Sequence, residues 1–87
     1  MILVDDAVWP WRGRLWAHLI SGTSLEELHA FADRLGMPRH TFQGDHYDIP
    51  TRLREQAIAL CATPVDGREL VRRLRDSGLR RPRPGRP

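Results

Sequence analysis

The chain contains no lysine, so all 14 of its basic residues are arginines. A planar guanidinium suits bidentate contacts to phosphate. The replacement extends to every predicted helix, however, including faces with no ligand in view, which favours a coding bias over a dedicated phosphate surface. A single cysteine, Cys61, excludes an internal disulfide. Set among Ala59, Leu60 and Ala62 in a helical pattern, it reads as a small, buried and inert hydrophobe. No glycine-rich loop of the P-loop type is present, which argues against a nucleotide kinase. No run approaches the roughly 18 apolar residues of a spanning helix. Ile2-Leu3-Val4 follows Met1 with neither a basic start nor a long apolar segment, so a cytoplasmic location and no membrane association are expected.

At 87 residues the chain is sized for one domain that buries roughly 60 to 65% of its unfolded surface, a small core for which a homodimer is a reasonable expectation. The formal net charge is +3, but it is unevenly placed. Residues 79–87 hold Arg80, Arg81, Arg83 and Arg86 and no acid, which leaves 10 basic against 11 acidic residues in 1–78, a net of −1. A nearly neutral folded body over 1–78 and an extended, flexible arginine- and proline-rich tail over 79–87 follow.

The predicted elements give a small α/β fold with about three short strands, at least partly parallel, and three helices. Ile2 to Val4 is apolar and β-branched, a strand that delivers Asp5 and Asp6 to its carboxyl end. Trp9-Pro10-Trp11-Arg12-Gly13-Arg14 is punctuated by proline and glycine and reads as a loop. Leu15 to Ile20 reads as a strand with both faces covered, which belongs between helices. Thr23 or Ser24 caps a helix whose Leu25, Leu28, Phe31, Ala32 and Leu35 recur at helical spacing until Gly36 and Pro38 end it. A second helix starts near Pro50, with Leu53, Ala57, Leu60 and Cys61 on its inner side. Thr63-Pro64-Val65 is an edge strand. Asp66 and Glu69 start the last helix, whose Leu70, Val71 and Leu74 face inward until Gly78, with Leu79 placed for a Schellman contact.

Candidate chemistry concentrates in two acidic turns. In an open parallel sheet, ligands sit beyond the carboxyl ends of the strands, where Asp5 and Asp6 are expected; alternation sends at most one of them into a shared pocket. Phe42-Gln43-Gly44-Asp45-His46-Tyr47-Asp48 holds the second set. His46 and Asp48 project to the same side of an extended segment and could hold a divalent metal or position a water. Asp48 could equally cap the approach to the helix, and Asp45 could remain in solvent. His18 is either a core histidine or a further ligand; His29 is expected to be structural and His40 exposed. Two histidines and a carboxylate also match an iron facial triad, but the eight-stranded scaffold that commonly carries a His-x-Asp pair is missing. Trp9, Trp11, Arg12 and Arg14 could stack bases and contact phosphates, or the tryptophans could simply lid the core.

At Val4-Asp5-Asp6, Pro10-Trp11-Arg12-Gly13-Arg14, His18-Leu19, Leu28-His29-Ala30 and the segment from Phe42-Gln43-Gly44 to His46-Tyr47-Asp48, the chain resembles a short bacterial and phage family known as domain of unknown function 4031. The resemblance spans about residues 2–75 and leaves the tail outside. It implies no activity, cofactor or catalytic residue, so every role assigned above comes from residue chemistry.

The sequence thus points to an Asp/His ligand or metal site built from Asp5, Asp6, His46 and Asp48, with His18 as a fourth candidate ligand and Tyr47 as a binding residue. Metal-assisted phosphoester hydrolysis is its most specific reading, because a metal held by carboxylates and imidazole activates water and neutralises phosphoryl charge. A noncatalytic module that holds nucleic acid or an acidic protein through Trp9, Trp11, Arg12, Arg14 and the tail is the alternative. A dimeric structural subunit is a third.

Overall fold

A computed structural model describes residues 1–80, the Trp9 side chain excepted. The predicted tail lies outside the described residues from Arg81 onward. The order is β1 (Ile2–Val4), β2 (Trp9–Trp11), β3 (Arg14–Ser21), α1 (Leu25–Leu35), a short 3-10 helix (Arg39–Thr41), β4 (Tyr47–Pro50), α2 (Thr51–Ala59), β5 (Thr63–Pro64) and α3 (Gly67–Ser77). The fold is α/β with three helices, as predicted, but the sheet has five strands instead of about three. The two unforeseen strands are β2 and β4. Trp9-Pro10-Trp11 is a strand and not a loop: Arg12 and Gly13 adopt φ of 50° and 75°, the positive pair of a type I′ turn, which folds β2 onto β3 as a tight hairpin. Pro10 is tolerated because β2 lies at an edge.

The sheet is mixed. β3 pairs antiparallel with β1, β2 and β4, while β1 pairs parallel with β5, the edge strand that Pro64 foretold. Trp16 is matched to both Trp9 and Pro50, and Leu19 to both Val4 and Tyr47. β4 therefore occupies one edge of β3, and β1 and β2 follow each other along the opposite edge. They are two halves of one strand, interrupted at Asp5 to Val8.

Alternation assigns the faces. Ile2, Val4, Ala17, Leu19, Tyr47 and Ile49 point to one side and form the main core with Leu28, Phe31, Ala32 and Leu35 of α1 and Leu53 and Ala57 of α2. Leu3 and Ile20 point to the other side, where Leu70 and Leu74 of α3 cover them and Leu79 packs at the margin. Burying a large aliphatic side chain stabilises by roughly 1.5 to 3 kcal/mol, so both layers contribute. α3 nevertheless covers only the Leu3 and Ile20 end of its face. His18, Trp16 and Arg14 continue along the same side of β3 beyond it and are half-buried or exposed.

Caps match their sequence signals at both longer helices. The Ser24 side chain accepts from the Glu27 N–H, and Asp66 accepts from the Glu69 N–H. Gly36 and Gly78 take left-handed conformations at the carboxyl ends. Cys61 departs from expectation. It is exposed, with φ of 81°, because α2 ends at Ala59 and Cys61 takes the left-handed position beyond it. Its N–H donates to the Ile58 carbonyl and that of Ala62 to the Ala57 carbonyl, the pair of bonds of a Schellman motif, in which glycine is the usual occupant. Among the described residues no helix is long and apolar enough to cross a membrane.

Candidate metal centre

The interruption in the β1–β2 edge creates the site. At Asp5 the N–H still donates to the His18 carbonyl, 3.2 Å, as a continuing antiparallel ladder requires. The reciprocal bond is replaced: the His18 N–H donates to Asp5 Oδ1 at 2.6 Å, and the Asp5 carbonyl accepts instead from Arg54 Nε at 2.8 Å. Arg54, which the sequence reading assigned no role, thus holds the departing backbone in place. With one carboxylate oxygen on the backbone, the other, Oδ2, lies 2.7 Å from His18 Nδ1. A carboxylate accepts, so Nδ1 donates to it and Nε2 is the ring nitrogen turned outward.

β4 builds the second half. Gly44, with φ of 89°, turns the chain so that the Gln43 N–H meets the His46 carbonyl and Phe42 pairs with Tyr47. Asp45, which could have remained in solvent, is 6% exposed and places Oδ1 2.6 Å from His46 Nδ1. The arrangement repeats that of Asp5 and His18. Register then sets Asp48 opposite His18, on the side of the sheet that α3 leaves uncovered.

The two imidazoles converge on one oxygen. Asp48 Oδ1 lies 3.3 Å from His46 Nε2 and 3.8 Å from His18 Nε2. It is buried, and among the described residues it makes no well-formed hydrogen bond. The two rings meet edge to face with centroids 5.4 Å apart, and one ligand atom from each of His18, His46 and Asp48 falls within 4.8 Å of the others. Ligand atoms held about 2.0 to 2.1 Å from a tetrahedral ion stand about 3.3 Å apart, so the His46 to Asp48 separation is that of a coordination edge. Burial opposes protonation of His46, but the close approach of Asp48, the hydrogen bond to Asp45 and the charge of both carboxylates outweigh it and raise its pKa above the ordinary value. Protonation of His46 and metal uptake at its Nε2 would therefore compete.

The remaining candidate residues lie elsewhere. Asp5 stands behind His18 as its orienting partner. Asp6 is turned outward, 3.5 Å from Arg54 Nη2, and is not brought into the cluster. Tyr47 points to the opposite face, fully buried, where its hydroxyl lies 2.8 Å from His29 Nδ1. His29 is thus structural, and His40 is exposed. Trp11, Arg12 and Arg14 lie on the β2–β3 hairpin, with the Arg12 guanidinium 4.6 Å from the centre of the Trp11 ring.

No curated protein and no solved structure matches the chain. The family model described as "Protein of unknown function (DUF4031)" matches residues 2–77. That span takes in every strand and helix of the fold and all five members of the His/Asp cluster, and the chain belongs to the DUF4031 family.

Proposed function

We propose that this protein binds a zinc-like divalent metal through His18 Nε2, His46 Nε2 and Asp48 Oδ1, and that the bound ion serves metal-assisted hydrolysis of a phosphoester. The observation that supports this most strongly is the convergence of two oriented imidazoles on a buried carboxylate oxygen that lacks a well-formed hydrogen bond. Asp5 and Asp45 supply behind each imidazole the hydrogen-bond acceptor that metal-ligating histidines almost always have. Two imidazoles and one carboxylate favour zinc, iron or another first-row ion over magnesium, which takes oxygen ligands.

Three protein ligands leave coordination positions for water and substrate, the arrangement of catalytic rather than structural zinc. A cation held there by His18, His46 and Asp48 would lower the pKa of bound water and polarise a phosphoryl oxygen. The two converging Nε2 atoms and the Asp48 carboxylate are what this chain contributes.

Titration of the full chain with zinc, manganese and magnesium, followed by native mass spectrometry, tests the reading. One equivalent of zinc should be retained, and Asp48→Ala should abolish retention. Metal-loaded protein should cleave a bis-aryl phosphate and the Asp48→Ala variant should not. Failure of all three ions to bind would dismiss the metal centre; binding without cleavage would dismiss the hydrolytic role.

A further inference from the structure

Beyond the metal cluster, the sheet face that α3 leaves open continues as a strip of aromatic and cationic side chains. On β3, His18, Trp16 and Arg14 share this face by alternation, and Trp11 is the register partner of Arg14. The Trp11 and Trp16 rings touch, with centroids 5.6 Å apart and planes tilted by 59°, and the Trp16 indole N–H donates to the Trp11 carbonyl at 2.9 Å. Trp11 is 51% exposed. An apolar lid would bury such a ring, whereas here the Arg12 guanidinium lies 4.6 Å from its centre.

Charge on the hairpin has one sign. Residues 9–16 contain Arg12 and Arg14 and no acid. Among the described residues neither arginine joins an ion pair, whereas Arg72 on α3 is held by Glu69 and Asp76. Spacing follows from strand geometry: Trp16 lies about 7 Å along β3 from His18, and Arg14 about 13 Å. A phosphodiester seated at His18 and Asp48 would set a neighbouring base over the indoles and a further phosphate near the arginines.

We infer that the open half-face formed by Trp16, Trp11, Arg12 and Arg14 is a platform for single-stranded nucleic acid, which leads the strand to the His18–His46–Asp48 cluster. This deepens the hydrolytic reading by naming its substrate class, and rests on that reading for the reaction but not for binding. Stacked indoles accept any base because every base has a π-face, and guanidiniums add backbone attraction without sequence preference. An acidic peptide would satisfy the arginines but leave the exposed indole without a partner.

Fluorescence anisotropy of a labelled oligo-dT of about 12 nucleotides with the full, chelator-treated chain tests binding without metal. Trp11→Ala should weaken affinity about 5- to 150-fold, the range for loss of one stacked base. Arg12→Ala combined with Arg14→Ala, on exposed positions where unfolding is not expected, should weaken it and flatten the slope of log affinity against log salt by about 1.4. Trp11→Phe should restore most of the loss, and intrinsic tryptophan fluorescence should be quenched by oligo-dT but not by polyglutamate. His46→Ala should abolish zinc retention while strand binding stays within about threefold, which separates failure of the metal centre from failure of the platform. Strand affinity unchanged in both hairpin variants, or equal competition by polyglutamate, would overturn the inference.

Discussion

Asp5→Asn should uncouple His18 from metal while leaving the fold in place. The side chain makes two contacts of different kind: Oδ1 accepts from the His18 N–H at 2.6 Å, and Oδ2 lies 2.7 Å from His18 Nδ1. A backbone N–H can only donate, so asparagine must aim its oxygen there and its NH2 group at Nδ1. Nδ1 then has to accept, which moves the ring proton to Nε2 and removes the lone pair that faces Asp48. Loss of such a partner typically costs 10- to 100-fold in metal affinity, or about 1.4 to 2.8 kcal/mol. The volume is unchanged, so the damage falls on the tautomer and not on packing. Competition with a chromophoric chelator reads the zinc affinity, and nitrogen chemical shifts of the histidine rings read the tautomer. Asp6→Asn, which changes an outward residue of the same turn, is the control and should bind zinc normally. Zinc affinity for Asp5→Asn within about threefold of the parent, with His18 still protonated on Nδ1, would refute the orienting role.

Three further outcomes follow from the geometry. The raised pKa of His46 means that, without metal, its contribution to stability is complete below the unfolded value of about 6.5 and is lost as pH rises through the folded value. The urea midpoint in chelator should therefore fall as pH rises above about 6.5, excess zinc should offset that fall, and His46→Gln should flatten it. Cys61→Gly should stabilise the protein by about 1 kcal/mol and raise Tm by about 4 to 8 °C, since the left-handed conformation penalises a side chain; a lower Tm would show that the thiol has a favourable contact that offsets the strain. Tyr47→Phe should cost about 1 kcal/mol in chemical denaturation through loss of its bond with His29, with no change in zinc affinity because it lies on the opposite face; a weakened metal affinity would contradict that separation.

Local signals were legible wherever one residue type has one physical use. Ser24, Gly36, Asp66 and Gly78 marked helix ends because caps and left-handed turns depend on immediate neighbours. β4 escaped notice because its pattern is short and its solvent-side position is occupied by Asp48, a residue that also reads as a helix cap. With Tyr47 and Ile49 buried and Asp48 between them, the alternation is present, but four residues ending in proline resemble a loop. β2 was hidden for a similar reason, since Pro10 and Gly13 punctuate a hairpin as readily as a coil.

The candidate centre was half visible. His46 and Asp48 share a side because they are two apart, and that much is local. The match of His18 to Asp48 depends on strand register between segments 30 residues apart in sequence, for which the chain offers no short-range signal. Asp45 and Asp5 as partners of the imidazoles were equally out of reach: one depends on the Gly44 turn, the other on an edge that breaks its own ladder. The only hint was abundance, since two acidic turns and four histidines exceed what a small core requires.

The broken edge has a consequence for how this family can change. Four residues separate Val4 from Trp9, whereas two separate their partners Leu19 and Trp16. Removing two residues between Val4 and Trp9 would let the hydrogen-bond pattern run through without a seam. The shortened protein could keep its layers and hairpin, yet the carboxylate that grips His18 would no longer be displaced toward it. Loss of the proposed metal centre in such a relative would then come from a gap closed in the backbone, with both histidines still in their places.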